Sequence, residues 1–153
     1  MPPVILGSES VAALLVTRHE LRTRYAVIYP NVYLRNDAEL TAAARAEAAW
    51  LWSRRRGAVV GRSAAALHGT RWIDPQAPAE LLHDNRHSPR GIRTYADRIA
   101  DDEIMRIRGM AVATPARAAL DLACRNPIDR AIAATDALAN ATGLKTADVE
   151  LLV

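Results

Sequence analysis

Along the first third of the chain the spacing of apolar positions changes period twice. Val11, Leu14 and Leu15 recur at helical spacing, which predicts a short helix over residues 9–15 with Ser8 as its cap. In "TRHELRTR" Thr17 and Glu20 have the S/T-x-x-E spacing of a capping box, so a second helix is expected to start at Arg18. Leu21 would face inward and Arg18, Arg22 and Arg24 would face water. "YAVIYPNVYLR" then switches to alternation around Pro30-Asn31, the signal of a β-hairpin carrying Arg35. Two short helices followed by a hairpin is the order of a minimal winged helix-turn-helix.

Residues 39–56, "ELTAAARAEAAWLWSRRR", read as one strong helix. Leu40, Ala43, Ala44, Ala48 and Leu51 form an apolar stripe that Trp50 and Trp52 widen to both sides, and Glu47 falls inside it. A helix without a clean polar face is expected to be covered on more than one side, joining two lobes. Beyond Gly57, "AVVG" reads as a strand and residues 63–68 as a short helix, with Ser63 as cap and Gly69 as stop. "AELLH" and "IRTYA" read as strands around a polar loop, and "EIMRIRGMAVAT" as a hairpin across Arg108-Gly109. Thr114-Pro115 and Asn126-Pro127 each carry the cap-then-proline signature of a helix start, Gly143 marks a helix end, and a last helix begins near Thr146. The abrupt "ELLV" ending reads as an interruption.

Composition narrows the setting. The single cysteine, Cys124, excludes an intrachain disulfide and favours a reducing compartment. The opening "MPPVILGSES" lacks the pattern of a secretory signal, and "VAALLV" is far too short to span a membrane, so a cytoplasmic protein is expected. Of the basic residues all but Lys145 are arginine. They are unevenly placed: residues 1–62 hold nine arginines against five acids, while residues 63–153 hold eleven basic and twelve acidic residues. An electropositive front beside a near-neutral remainder fits an anionic partner, nucleic acid first.

Catalytic signatures fail one by one. In "VVGRSAAALHGT" Ser63 is followed two residues on by Ala65, so the glycine required by a nucleophile elbow is missing. Gly61 also lacks the second glycine and the lysine of a phosphate loop. Ser63 and His68 are read as capping and packing residues. "HDNRH" brings His83 and His87 together, but in a polar loop, so no metal site and no cofactor are expected. Asp121, four residues from both Arg117 and Arg125, reads as part of a surface ion-pair ladder. Glu47 is read as the partner of a nearby arginine. With one lysine, a D…E-x-K nuclease site cannot be assembled.

Taken together, "LVTRHELRTRYAVIYPNVYL", "AWLWSRRRGAVVGRSAAALHG", "VATPARAALDLA" and "IAATDALA" resemble the AbiEi-type antitoxin family, the transcriptional-regulator half of type IV toxin–antitoxin pairs. The likeness runs over residues 8–150. It is nearest to actinobacterial members in which this region precedes a very-short-patch-repair-type endonuclease-like domain, which is absent here. The resemblance implies a non-enzymatic, autoregulating DNA-binding protein paired with a nucleotidyltransferase-like toxin. It makes Arg18 to Arg24 the DNA-reading segment and Tyr25 to Leu34 the wing.

The expected fold class is therefore α+β: a winged helix-turn-helix-like module over residues 1–37, a connecting helix over 38–56, and an α/β antitoxin-like domain over 57–153 ending in a helical segment. The candidate DNA-binding residues are Arg18, His19, Arg22, Thr23, Arg24, Arg35, Arg54, Arg55 and Arg56. Expected partners are double-stranded DNA, a nucleotidyltransferase-like toxin and a second copy of the chain, with no membrane. The rival readings are the targeting lobe of a truncated endonuclease-like protein and an interaction scaffold without DNA affinity.

Overall fold

A short strand that the apolar spacing did not announce opens the chain. In the computed structural model, which describes residues 2–85 and 87–152, β1 (Val4–Leu6) pairs antiparallel with β3 (Val32–Arg35), and β3 pairs in turn with β2 (Tyr25–Tyr29). The result is a three-stranded sheet of order β1-β3-β2. Between β1 and β2 lie α1 (Gly7–Ala12) and α2 (Arg18–Arg24). The β2–β3 turn places Asn31 at φ +63°, a left-handed conformation that asparagine tolerates better than most residues.

The first helix differs from its expected span. It starts at Gly7 and stops at Ala12, and Leu6 occupies the cap position. Ser8 lies inside the helix, its amide donating to Asn31 Oδ1 and its hydroxyl accepting from Asn31 Nδ2, so it serves the hairpin turn instead. Leu14 adopts φ +60° and is 90% exposed, and Leu15 is exposed as well. The helix ends before either can turn inward.

α3 (Ala42–Trp52) is shorter than the composition suggested because Thr41 caps it, accepting from the Ala44 amide at 3.0 Å. It buries Ala46, Ala48, Ala49, Trp50 and Leu51, and it packs on the first sheet on one side and on the second sheet on the other. One apolar cluster runs from Val4 and Val32 through α3 to Leu81, Val112, Leu122 and Leu138. Polar bridges add to it: Tyr29 donates to Gly91 O at 3.0 Å, and Arg45 donates to Tyr29 Oη and to Pro75 O.

The second sheet has the order β6-β5-β4-β8-β7. It comprises β4 (Ala58–Val59), β5 (Ala79–Leu82), β6 (Ile92–Tyr95), β7 (Ile104–Ile107) and β8 (Met110–Ala113). β5 and β6 run parallel although no helix stands between them among the described residues, and β4 runs parallel to β8. α4 (Gly61–Leu67) follows β4, and α5 (Pro115–Arg125), α6 (Ile128–Thr142) and α7 (Thr146–Glu150) complete the chain. The molecule is thus mixed α+β and ends in a helix.

Local signals hold at several ends. Thr114 caps α5 with Pro115 in its first turn, and Gly143 ends α6 at φ +72°. Besides Ser8, two expected caps do not form. Pro127 takes the cap position of α6, while Asn126 Nδ2 closes the preceding helix by donating to Leu122 O at 2.9 Å. At α4 the cap position belongs to Val60, and Ser63 sits within the helix with its hydroxyl accepting from the Glu80 amide at 2.9 Å. Val60 has no side-chain acceptor, so two distant carboxylates meet the first amides of α4: Gly61 donates to Asp121 Oδ2 at 3.3 Å and Arg62 to Glu80 Oε2 at 2.6 Å.

The Arg117–Asp121–Arg125 ladder exists but is not on the surface. Arg117 Nε meets Asp121 Oδ1 at 3.0 Å and Arg125 Nη2 lies 3.7 Å from the same oxygen, yet Arg117 is 7% and Asp121 4% exposed. The remaining Arg117 donors reach Glu103 Oε2 at 3.1 Å and Arg98 O at 3.0 Å. Burial works against the Arg117 charge, but the hydrogen bonds to Asp121 and Glu103 outweigh it and its pKa rises above the ordinary value.

Gly61 stands at φ +56° directly beneath Glu80, where any Cβ would collide with the carboxylate. Gly61→Ala is expected to destabilise the fold by roughly 2–4 kcal/mol, combining left-handed strain with overpacking. Gly69→Ala, at φ +90° with open space around it, should show the strain alone, about 1–2 kcal/mol. Urea denaturation of the two variants separates the contributions.

Candidate nucleic-acid interface

α2 carries three exposed arginines, and its start is set by residues around it. Thr17 Oγ1 accepts from the Glu20 amide at 3.0 Å while Glu20 Oε1 accepts from the Thr17 amide at 3.3 Å, completing the expected capping box. Its end is held by Asn36, whose amide donates to Arg24 O and whose side chain donates to Thr23 O. Leu21 packs with Val11 and Tyr33 against a small cluster of Ile5, Val16 and Tyr25. With the inward side fixed, the rest of the helix faces solvent.

Arg18, His19, Arg22, Thr23 and Arg24 are all exposed, and the three arginines form no salt bridge among the described residues. At about 100° per residue, Arg18 and Arg22 lie some 40° apart, with His19 and Thr23 beside them. Arg24 falls on another flank, where with Arg35, Asn36 and Asp37 it lines a hollow of about 460 Å³. The Thr23 hydroxyl donates to His19 O at 2.9 Å, so only its acceptor side remains for a ligand. The structure therefore brings Arg18, His19 and Arg22 together, with Thr23 between them and the hollow that it lines with Arg24.

The remaining candidates are used differently. Arg35 is ion-paired with Asp37, whose hydrogen bond lifts the guanidinium pKa further. Arg54 and Arg55 adopt φ +59° and +65° in the turn after α3. Arg55 forms a two-pronged pair with Glu9, Nη1 to Oε2 and Nη2 to Oε1, both at 2.8 Å. That contact depresses the Glu9 carboxyl pKa and holds the turn against α1. Arg54 and Arg56 are exposed and form no salt bridge among the described residues.

Other chemistry singled out by residue type is engaged elsewhere. Ser63 is buried against Glu80, and His68 Nε2 lies 2.8 Å from Ala113 O, so the two do not form a pair. Within "HDNRH", Arg86 lies outside the described residues, and the His83 ring stands edge-on to Trp52 at 5.7 Å. Among the described residues no group of three or more His, Cys, Asp or Glu could hold a metal ion, and no helix is long and apolar enough to cross a membrane. Sequence reasoning missed Glu80, buried on β5; the signal available was an acid inside the apolar run "AELL".

Comparison of the chain with models of known protein families, with curated proteins and with solved structures finds no match.

Glu47 meets Arg108, Nη1 to Oε2 at 3.9 Å, but burial dominates and raises its pKa above 4.5. The fold therefore favours the protonated acid, and stability falls as pH rises through the folded pKa. Glu47→Gln should accordingly stabilise the protein at pH 7. That gain should vanish when unfolding is measured below 4.5, where the native acid is already neutral.

Proposed function

We propose that this chain is a non-catalytic, duplex-DNA-binding regulator of the AbiEi antitoxin type that reads DNA through α2. The observation that carries the reading is the solvent face of α2, where Arg18 and Arg22 stand one turn apart without a carboxylate partner among the described residues. Guanidinium groups in that arrangement can grip phosphates or guanine edges through paired donors. His19 and Thr23 flank them, and Arg54 and Arg56 add charge from the turn that Arg55 fastens to α1.

The arrangement around α2 supports a winged helix-turn-helix role. Strand, helix, turn, helix and hairpin follow in order, with β3 central in the small sheet and the β2–β3 hairpin in the wing position. Arg35 on that hairpin is shared with Asp37, so its part is to orient the wing more than to supply free charge. A cytoplasmic setting suits such a regulator and its single free cysteine.

A protein partner is favoured by a separate observation. On α6, Ile128 is 73% and Ile132 56% exposed, beside Thr135 and Ala123 in a shallow hollow. A nucleotidyltransferase-like toxin or a second copy of the chain would cover these residues, and this same face is what a pure interaction scaffold would use.

Titration of a duplex at several salt concentrations tests the DNA reading. Arg22→Ala should weaken affinity and reduce the slope of log K against log salt by about one phosphate contact, ~0.9. Arg130→Ala, exposed on α6, should leave both unchanged. Absence of duplex binding at low salt defeats the proposal.

A further inference from the structure

Between α4 and β5 the chain displays two residues that the fold does not use. Thr70 is buried, its amide donating to Ala65 O at 3.0 Å, and Ile73 packs against the main core. Arg71 and Trp72, held between those anchors, are exposed. Trp72 is 93% exposed and adopts φ +71°, a strained conformation for a bulky residue. An indole in water adds little to stability, so the strain is not offset by packing of the ring.

Opposite this display lies α6, with Ala133, Ala137 and Ala141 in one row and Asp136 and Asn140 in the next, each a turn apart. The two sides enclose a cleft of about 690 Å³, within the size range of small-ligand sites.

We infer that this cleft binds a nucleotide by stacking an unpaired nucleobase on Trp72. The indole presents an open π-face, and stacking on such a face accepts any base. The alanine row presents only methyl groups along its part of the opposite wall, so a planar ring has room to enter. Asp136 offers a carboxylate for adjacent N–H donors, which the Watson–Crick edge of guanine supplies, and Asn140 adds a donor and an acceptor. Arg71, without a salt bridge among the described residues, is placed beside Trp72 to meet the phosphate. The His68 ring, fixed on Ala113 O, forms part of the wall. A protein occupant is less favoured because, Trp72 apart, the walls carry little apolar area to bury. A free nucleotide and an unpaired base within a strand share this chemistry. The site uses none of the residues assigned to duplex DNA.

Trp50 is buried and Trp52 partly so, which leaves Trp72 as the emitter most open to quenching. The full chain would be titrated with GMP, AMP, CMP, UMP and a short single-stranded oligonucleotide of mixed sequence. The expected result is saturable quenching, strongest in affinity with GMP among the mononucleotides. Trp72→Ala should weaken binding of a fluorescent guanine nucleotide at least about tenfold while leaving duplex affinity intact. Asp136→Asn should remove the preference for GMP. Tighter binding of the oligonucleotide than of GMP assigns the site to unpaired strands, and the reverse assigns it to free nucleotides. No saturable response at millimolar nucleotide overturns the inference, as does binding that survives Trp72→Ala, or burial of Trp72 only by another protein.

Discussion

The amides that open α4 and the two carboxylates that receive them set the terms for the larger sheet. A helix start leaves backbone donors without partners, and Val60 has no acceptor to offer. Glu80 from β5 and Asp121 from α5 supply it, from 18 and 60 residues away. Both acids are buried, so each needs further compensation, because an unpaired buried charge is far costlier than a paired one. Asp121 takes Arg117, which also donates to Glu103 and to Arg98 O. Glu80 receives the Tyr95 hydroxyl at 3.4 Å, and the Tyr95 ring lies under Arg125 at 3.6 Å, whose other partners are Asp97 and Asp121. The circuit closes on itself, joining β5, β6, α4 and α5 through groups that cannot be removed singly.

That circuit explains why Gly61 is glycine. The Glu80 carboxylate approaches the chain where a Cβ would stand, at a φ that glycine adopts without strain. It also explains why Ser63 behaves as a packing residue. Its hydroxyl takes the Glu80 amide, holding the strand that delivers the carboxylate to the helix start. The role of Ser63 is thus set by an acid that no local motif contains.

Signals whose physics is confined to a few residues were legible. The Thr17–Glu20 box, the Thr114-Pro115 start, the Gly143 stop and both hairpins depend on neighbours within four or five positions, and each forms where the residues predict. What failed depended on partners that the local motif does not specify. Ser8 and Asn126 have the chemistry of caps, but Asn31 claims the first and the preceding helix end claims the second. The arginine–aspartate spacing was correctly read as a ladder, yet which side of α5 faces the sheet is decided by packing, which put the ladder inside. For the interface, the crowding of arginines was visible in the charge distribution. The pairing of Arg55 with Glu9, 46 residues apart, was not, whereas Arg35 and Asp37 are close enough to have been paired on sight.

The two best-placed groups of arginines are used differently by the fold. In the later part Arg117 and Arg125 are paired with Asp97, Glu103 and Asp121 within the fold. In the earlier part α2 is fastened by uncharged contacts, Leu21 beneath it and Asn36 at its end, and its arginines are left out of the structural account. Replacing Arg117 would strand buried acids and weaken the fold, whereas replacing Arg22 strands nothing. Such residues cost the fold little to change, and they concentrate like charge on one short helix.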